Sequence, residues 1–264
     1  DAKEKGIAEC TLVGDGAAIR GIAEENGIDI SDMAIIDEPD PKAAAHKAME
    51  LVSSGRAQLA MKGRVKTADF LRAALDKEMG LRTGRLLSHV AIFDIPGFDR
   101  LLFISDAGMV VAPTLEQKVD IIRNAVYVAH RLGLERPKVA VLAAAETVDP
   151  DIPATVEAAS LAKMADRGQI KGAIVDGPLA LDNAVSLKAA KIKGVKSEVA
   201  GRADILIAPD IEAGNMMAKA IIYFAKGPMA GVVVGAKCPL IVPSRSDPRE
   251  AKLASIALGV LVAS

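Results

Sequence analysis

The chain has 264 residues, 51% of them apolar, with 33 Lys plus Arg against 34 Asp plus Glu and a formal net charge of −1. That length and apolar content suffice for a substantial core in one or two domains. Near-neutral charge without any long block of like charges excludes nucleic acid and an anionic membrane as natural partners and points to small molecules. Uncharged apolar stretches such as Gly227–Ala236, bounded by Lys226 and Lys237, fall short of the roughly eighteen residues a membrane helix needs. The two cysteines, Cys10 and Cys238, fit neither zinc nor C-x-x-C spacing. With no apolar signal segment at the start, the expected compartment is a reducing cytoplasm.

Short apolar runs alternate with helical patterns along most of the chain, which predicts an α/β fold with mostly parallel strands. The opening DAKEKGIAEC reads as the tail of a helix. In chain order the predicted strands are CTLVG, AIID (Ala34–Asp37), QLAMKG (Gln58–Gly63), HVAIFD (His89–Asp94), LLFISD (Leu101–Asp106), KVAVLAA, GAIVDG, ADILIAPD, AGVVVG and PLIVPS. Between them, Thr114–Leu132 opens on a threonine cap and carries Leu115, Val119, Ile122, Ala125, Val126 and Ala129 on one face, an amphipathic helix. A second helix follows PDIEAG and runs towards Gly227, with small residues at its entrance that let a ligand approach the backbone. In open sheets of this kind ligands gather at the carboxyl ends of the strands, so chemistry is expected there.

Several familiar sites are absent. Gly14, Gly16 and Gly21 are spaced GxGxxxxG and miss the dinucleotide fingerprint; Asp15 reads as a helix cap. No GxxxxGK[ST], HExxH or GxSxG occurs, which removes the usual nucleotide-hydrolase, zinc-protease and serine-hydrolase readings. Ser88 and His89 are neighbours on a predicted strand and point to opposite faces, so they form no nucleophile–base dyad.

Two stretches carry more. In MKGRVKTADFLRAA a strand ends at Lys62-Gly63, a loop carries Arg64, Lys66 and Thr67, and a helix presents Arg72 one turn in. This is either a phosphate site, to which Arg brings a matched fork of donors, or a solvated basic loop. In CPLIVPSRSDPRE an apolar run ends in Ser244, Arg245 and Asp247. Asp247-Pro248-Arg249-Glu250 has the form of a capping box, which occupies Asp247 but leaves Ser244 and Arg245 beside a helix N-terminus, where anions are favoured.

The blocks KGRVKTADFLRAA, LLSHVAIFD, LFISDAGMVVAPTLEQKVDIIRNAV, KVAVLAAAETVDPDIPATVEAASLAKMADRGQIKGAIVDGPLALDNAVS, SEVAGRADILIAPDIEAGNMMAK and VVVGAKCPLIVPSR, in this order, resemble the phosphate acetyltransferase and phosphate butyryltransferase family. The length and the SRSDPREAKLASIAL ending look more like the butyryltransferase branch. The resemblance implies reversible acyl transfer between coenzyme A and inorganic phosphate, with acyl-CoA, phosphate and acyl phosphate as substrates, no metal or other cofactor, and a homo-oligomer. It also implies two α/β domains of isocitrate/isopropylmalate dehydrogenase-like architecture with the active site in the cleft between them. The expected boundaries are 1–84 with 234–264 for a discontinuous first domain, lacking an N-terminal strand that relatives carry, and 85–233 for the second.

Carried over by motif, Ser244 and Arg245 match the family's Ser-Arg pair and Arg72 its phosphate-contacting arginine. The position of the acetyltransferases' catalytic aspartate is here Ala251, so Asp247 stands as the provisional base. Lys62, Lys66, Thr67, Asp182, Gly214 and Asn215 complete the expected substrate-binding set, and Met216 and Met217 are candidates for an acyl-pocket wall. Alternatives are an acetyl-CoA-specific enzyme, a non-catalytic protein that binds acyl-CoA or phosphate, and a dehydrogenase-like enzyme on a related scaffold. For the last, Asp176 and Asp182 are the only hint of the metal-binding carboxylates it needs.

Overall fold

In the computed structural model, which describes all 264 residues, the chain divides into two compact units, Asp1–Arg85 with Gly235–Ser264 and Leu86–Val234. The first unit opens with β1 (Thr11–Gly14), α1 (Gly16–Glu25), β2 (Ala34–Asp37), α2 (Pro41–Ser53), β3 (Ala60–Met61) and α3 (Thr67–Ala74). β1 and β2 pair in parallel, from Thr11 opposite Ala34 to Gly14 opposite Asp37. Asp15 accepts from the amides of Ala17 at 3.0 Å and Ala18 at 2.9 Å, so this glycine-flanked aspartate is the expected helix cap. α2 starts on Asp40 with Pro41 at its first turn and buries Ala45, Met49 and Val52 along one face. It packs on α3, whose Phe70, Ala73 and Ala74 are buried.

The second unit runs β4 (Ser88–Phe93), β5 (Leu102–Ser105), α4 (Leu115–Arg131), β6 (Lys138–Leu142), α5 (Pro153–Asp166), β7 (Ile174–Leu179), α6 (Leu181–Val185), α7 (Leu187–Ile192), β8 (Ile205–Ile207), α8 (Ile211–Ala220) and β9 (Met229–Val234). Its strands lie in the order β9-β4-β5-β8-β6-β7. β5, β8, β6 and β7 are mutually parallel, whereas β4 runs antiparallel to both β5 and β9. Phe103, Ile104, Ile205, Leu206 and Ile207 are all fully buried, which is why these strands read as continuous apolar runs rather than alternating ones.

α4 begins with a capping box in which Thr114 and Gln117 exchange side-chain and backbone hydrogen bonds. Its Asn124 donates to Ser88 Oγ at 2.8 Å and to the Leu86 carbonyl at 2.9 Å. The buried Ser88 hydroxyl is thereby committed to the core. α8 passes directly into a π-helical turn, Ile221–Ala225, that ends on Lys226 in the left-handed conformation.

The chain then returns to the first unit through β10 (Leu240–Ile241) and α9 (Arg249–Ala263). β10 lies parallel to β3, with Leu240 opposite Ala60 and Ile241 opposite Met61. The Lys62 amide extends the ladder by donating to the Ile241 carbonyl at 2.8 Å. All ten predicted strands exist, but β3 and β10 contract to two residues each, because the residues beyond them leave the sheet to build loops.

Candidate active site

The loops that leave β3 and β10 side by side enclose a recess of about 510 Å³ lined by Met61, Lys62, Gly63, Arg64, Pro243, Ser244, Arg245 and Lys252. The parallel pairing dictates this meeting: with Ile241 opposite Met61, the residues after each strand emerge at the same end of the sheet. Four cations therefore share one wall, and Lys62, Arg64, Arg245 and Lys252 make no ion pair. Like charges gathered without a counter-charge are matched by an anionic ligand.

Lys62 is the buried member, 8% exposed. Its ammonium donates to the carbonyls of Gly63 at 3.1 Å and Val65 at 3.4 Å. Burial first, and then the charge of Arg245, hold it below the ordinary lysine value of 10.5. Ser244 and Arg245 are exposed at the turn, and the Ser244 hydroxyl lies 3.0 Å from that of Ser246.

Asp247 behaves differently from the sequence expectation. α9 has Pro248 as its cap residue and no side-chain cap. Asp247 instead turns back and accepts from the Ser244 amide at 2.7 Å. The carboxylate is thus a brace across the Ser244–Arg245 turn, it is not among the residues lining the recess, and the capping box does not form. Ala251, one turn into α9, is buried.

The remaining expected residues are dispersed. Lys66 and Thr67 are exposed at the start of α3, with Lys66 in the cap position. Arg72 is 68% exposed at its side chain and paired with Asp69 at 2.5 Å; it does not line the recess. In the second unit, Asp182 is bonded to Lys193 at 3.1 Å, which, with backbone amides, holds its carboxyl below the usual range. Lys193 also reaches Glu146, at 3.1 Å. Asn215 donates to the Ala107 carbonyl at 3.1 Å.

Gly214 is buried where any Cβ would stand 2.4 Å from the Asp106 carbonyl oxygen. The missing side chain lets α8 pack closely on the loop after β5. Met216 is exposed, while Met217 packs partly buried against the core. No group of three or more His, Cys, Asp or Glu side chains is gathered as for a metal; Asp176 accepts from the Gly177 amide and Asp182 is held by Lys193. Lys252 was missed by sequence reasoning, although its position in the first turn of the helix after Ser244-Arg245 was a usable signal.

An α/β protein with an unpaired cationic recess at the ends of parallel strands belongs to the class that handles phosphate-bearing small molecules. Known proteins narrow this. The family described as Phosphate acetyl/butaryl transferase matches residues 41–260. A phosphate butyryltransferase of Clostridium acetobutylicum is 52% identical over 263 residues, covering 100% of this chain and 87% of the relative. A phosphate acetyltransferase of Thermotoga maritima is 50% identical over 257 residues, covering 97% and 87%. Among solved structures, a branched-chain phosphotransacylase from Enterococcus faecalis V583 superimposes with a TM-score of 0.84 at 31% identity, covering 96% of this chain and 98% of that one. The chain belongs to the phosphate acetyl/butyryl transferase family.

Proposed function

We propose that this protein transfers a short-chain acyl group reversibly between coenzyme A and inorganic phosphate, with butyryl-CoA and butyryl phosphate as the preferred pair. The observation that carries the reading is the recess where Lys62, Arg64, Ser244, Arg245 and Lys252 converge, in a chain similar over its whole length to a phosphate butyryltransferase. Phosphate, or the phosphoryl group of an acyl phosphate, sits among the cations, with Arg245 offering a planar fork and Lys252 a point charge. The Ser244 hydroxyl donates to the acyl carbonyl oxygen as negative charge develops there. Asp247 holds the turn that presents both. Holding the two substrates in line supplies much of the remaining acceleration.

Arg72, Lys66 and Thr67 assist at the phosphate, and Asp182, Gly214 and Asn215 contact substrate. Released from Asp69, Arg72 would supply a further guanidinium. The exchange leaves all oxidation states unchanged, so it needs no redox cofactor; the reading, following the family resemblance, also includes no metal. The reading extends to an isocitrate/isopropylmalate dehydrogenase-like architecture, resting on the sequence resemblance. It also takes in a homo-oligomer and a cytoplasmic location; no helix is long and apolar enough to cross a membrane.

The test is thiol release from butyryl-CoA and acetyl-CoA, with and without phosphate, in wild type, Ser244→Ala and Arg245→Ala. Phosphate-dependent release that falls about a hundredfold or more in both variants is expected. Faster release from acetyl-CoA makes the protein an acetyltransferase, and tight acyl-CoA binding without turnover makes it a non-catalytic binder.

A further inference from the structure

Resting on the acyl-transfer reading, we infer that Lys62 is the proton shuttle of the reaction, taking the proton from the coenzyme A thiol and delivering it to the departing phosphate oxygen. The nucleophile in thioester formation is a thiolate, and its proton needs an acceptor within the site. Of the side chains lining the recess, Met61, Pro243 and Ser244 offer no base, and the guanidinium groups of Arg64 and Arg245 carry donors only. Asp247 is bonded to the Ser244 amide outside the lining. The lysines Lys62 and Lys252 are what remains.

Geometry selects Lys62. Its nitrogen is bonded to two backbone carbonyls, Gly63 at 3.1 Å and Val65 at 3.4 Å, and to no carboxylate. An ammonium carries three protons, so two are satisfied by these carbonyls and the third is left to the recess. A neutral amine keeps both carbonyl bonds and turns its lone pair where the third proton was. The same cradle therefore suits both protonation states, as a shuttle requires. A carboxylate partner would have locked the ammonium. The charged groups facing Lys62 across the recess are Arg64 from its own loop, Arg245 from the loop after β10 and Lys252 from α9. All are cationic. Burial first, and then the charge of Arg245, favour the neutral amine and hold Lys62 below the ordinary lysine value.

The step balances as follows. The S–H bond breaks and an N–H bond forms on Lys62; the thiolate sulfur bonds to the acyl carbon. The acyl carbon–oxygen bond to phosphate breaks with its electron pair on oxygen, and that oxygen takes the proton from Lys62. The lysine ends neutral, and in the reverse direction the proton travels from phosphate to the departing thiolate.

The experiment uses the full chain as wild type, Lys62→Arg and Lys62→Ala. It measures butyryl-CoA formation from butyryl phosphate across pH, with inorganic phosphate binding by calorimetry as a control. Expected are a wild-type rate that climbs with pH to a plateau, and losses of about 10²–10⁴-fold in both variants, the usual share of general acid–base catalysis. Lys62→Arg should still bind phosphate, and ethylamine should restore turnover to Lys62→Ala in proportion to the free-base concentration. Lys62→Arg that keeps the wild-type rate and pH profile overturns the inference, as does failure of every small amine to rescue Lys62→Ala. A wild type inert at every pH instead removes the acyl-transfer reading itself.

Discussion

Replacing Asp247 by asparagine and by alanine distinguishes a brace from a base. In the structure the carboxylate accepts from the Ser244 amide at 2.7 Å, a bond to a charged group of a kind worth about 1.5–3 kcal/mol. The site is half-buried, so solvent screening puts the value near the lower end. Alanine leaves the Ser244–Arg245 turn unbraced; if the full bond energy is lost at the transition state, about 1.5 kcal/mol converts to a fall of roughly tenfold in kcat/KM. Asparagine keeps an acceptor oxygen and should remain within a few-fold of wild type. The assay is phosphate-dependent thiol release from butyryl-CoA at saturating phosphate, with kcat and KM separated across pH. If Asp247 were the base, asparagine would be as damaging as alanine, by about 10²–10⁴-fold, and the acid limb of the profile would vanish. That result would refute the brace.

Gly214→Ala should destabilise the second unit by about 1–3 kcal/mol, read as a lower urea midpoint, because the new Cβ would stand 2.4 Å from a backbone carbonyl with no flexible side chain to yield. Glu157→Ala should cost up to about 3 kcal/mol in the same assay, since it strands Lys118, buried between α4 and α5 and paired with Glu157. Cys238 should resist alkylation in the native state until strongly alkaline pH and react at once in denaturant, because burial pushes its thiol from 9.0 up to about 11. The folded thiol ionises later than the unfolded one. Its contribution to stability is therefore intact below about pH 9 and is lost as pH rises from there towards 11; a pH series of urea melts checks the sign.

Local patterns were legible where local forces decide. The runs VAIF, LFIS, KVAVL and ILI read as strands because both faces are buried and no alternation is needed. Asp15 and Thr114 read as caps because a side-chain oxygen two or three residues from free amides needs no tertiary help. The antiparallel setting of β4 was invisible: a buried strand of either direction has the same apolar run, and direction is set by the partners β5 and β9.

The candidate site divides along the same line. Sequence alone marked Ser244, Arg245 and Lys62 as chemistry at strand ends, because polar and cationic residues closing an apolar run have few structural uses there. It could not show that Lys62 and Arg245 face one recess, since only the parallel pairing of β3 with β10 brings those distant segments together. Lys252 went unmarked although it sits in the first turn after Ser244-Arg245, where the start of α9 delivers it to the same wall. The form Asp-Pro-Arg-Glu satisfied every local rule of a capping box, yet Asp247 braces Ser244 instead. A carboxylate has several amides within reach, and the choice among them is made by the turn that the rest of the fold imposes.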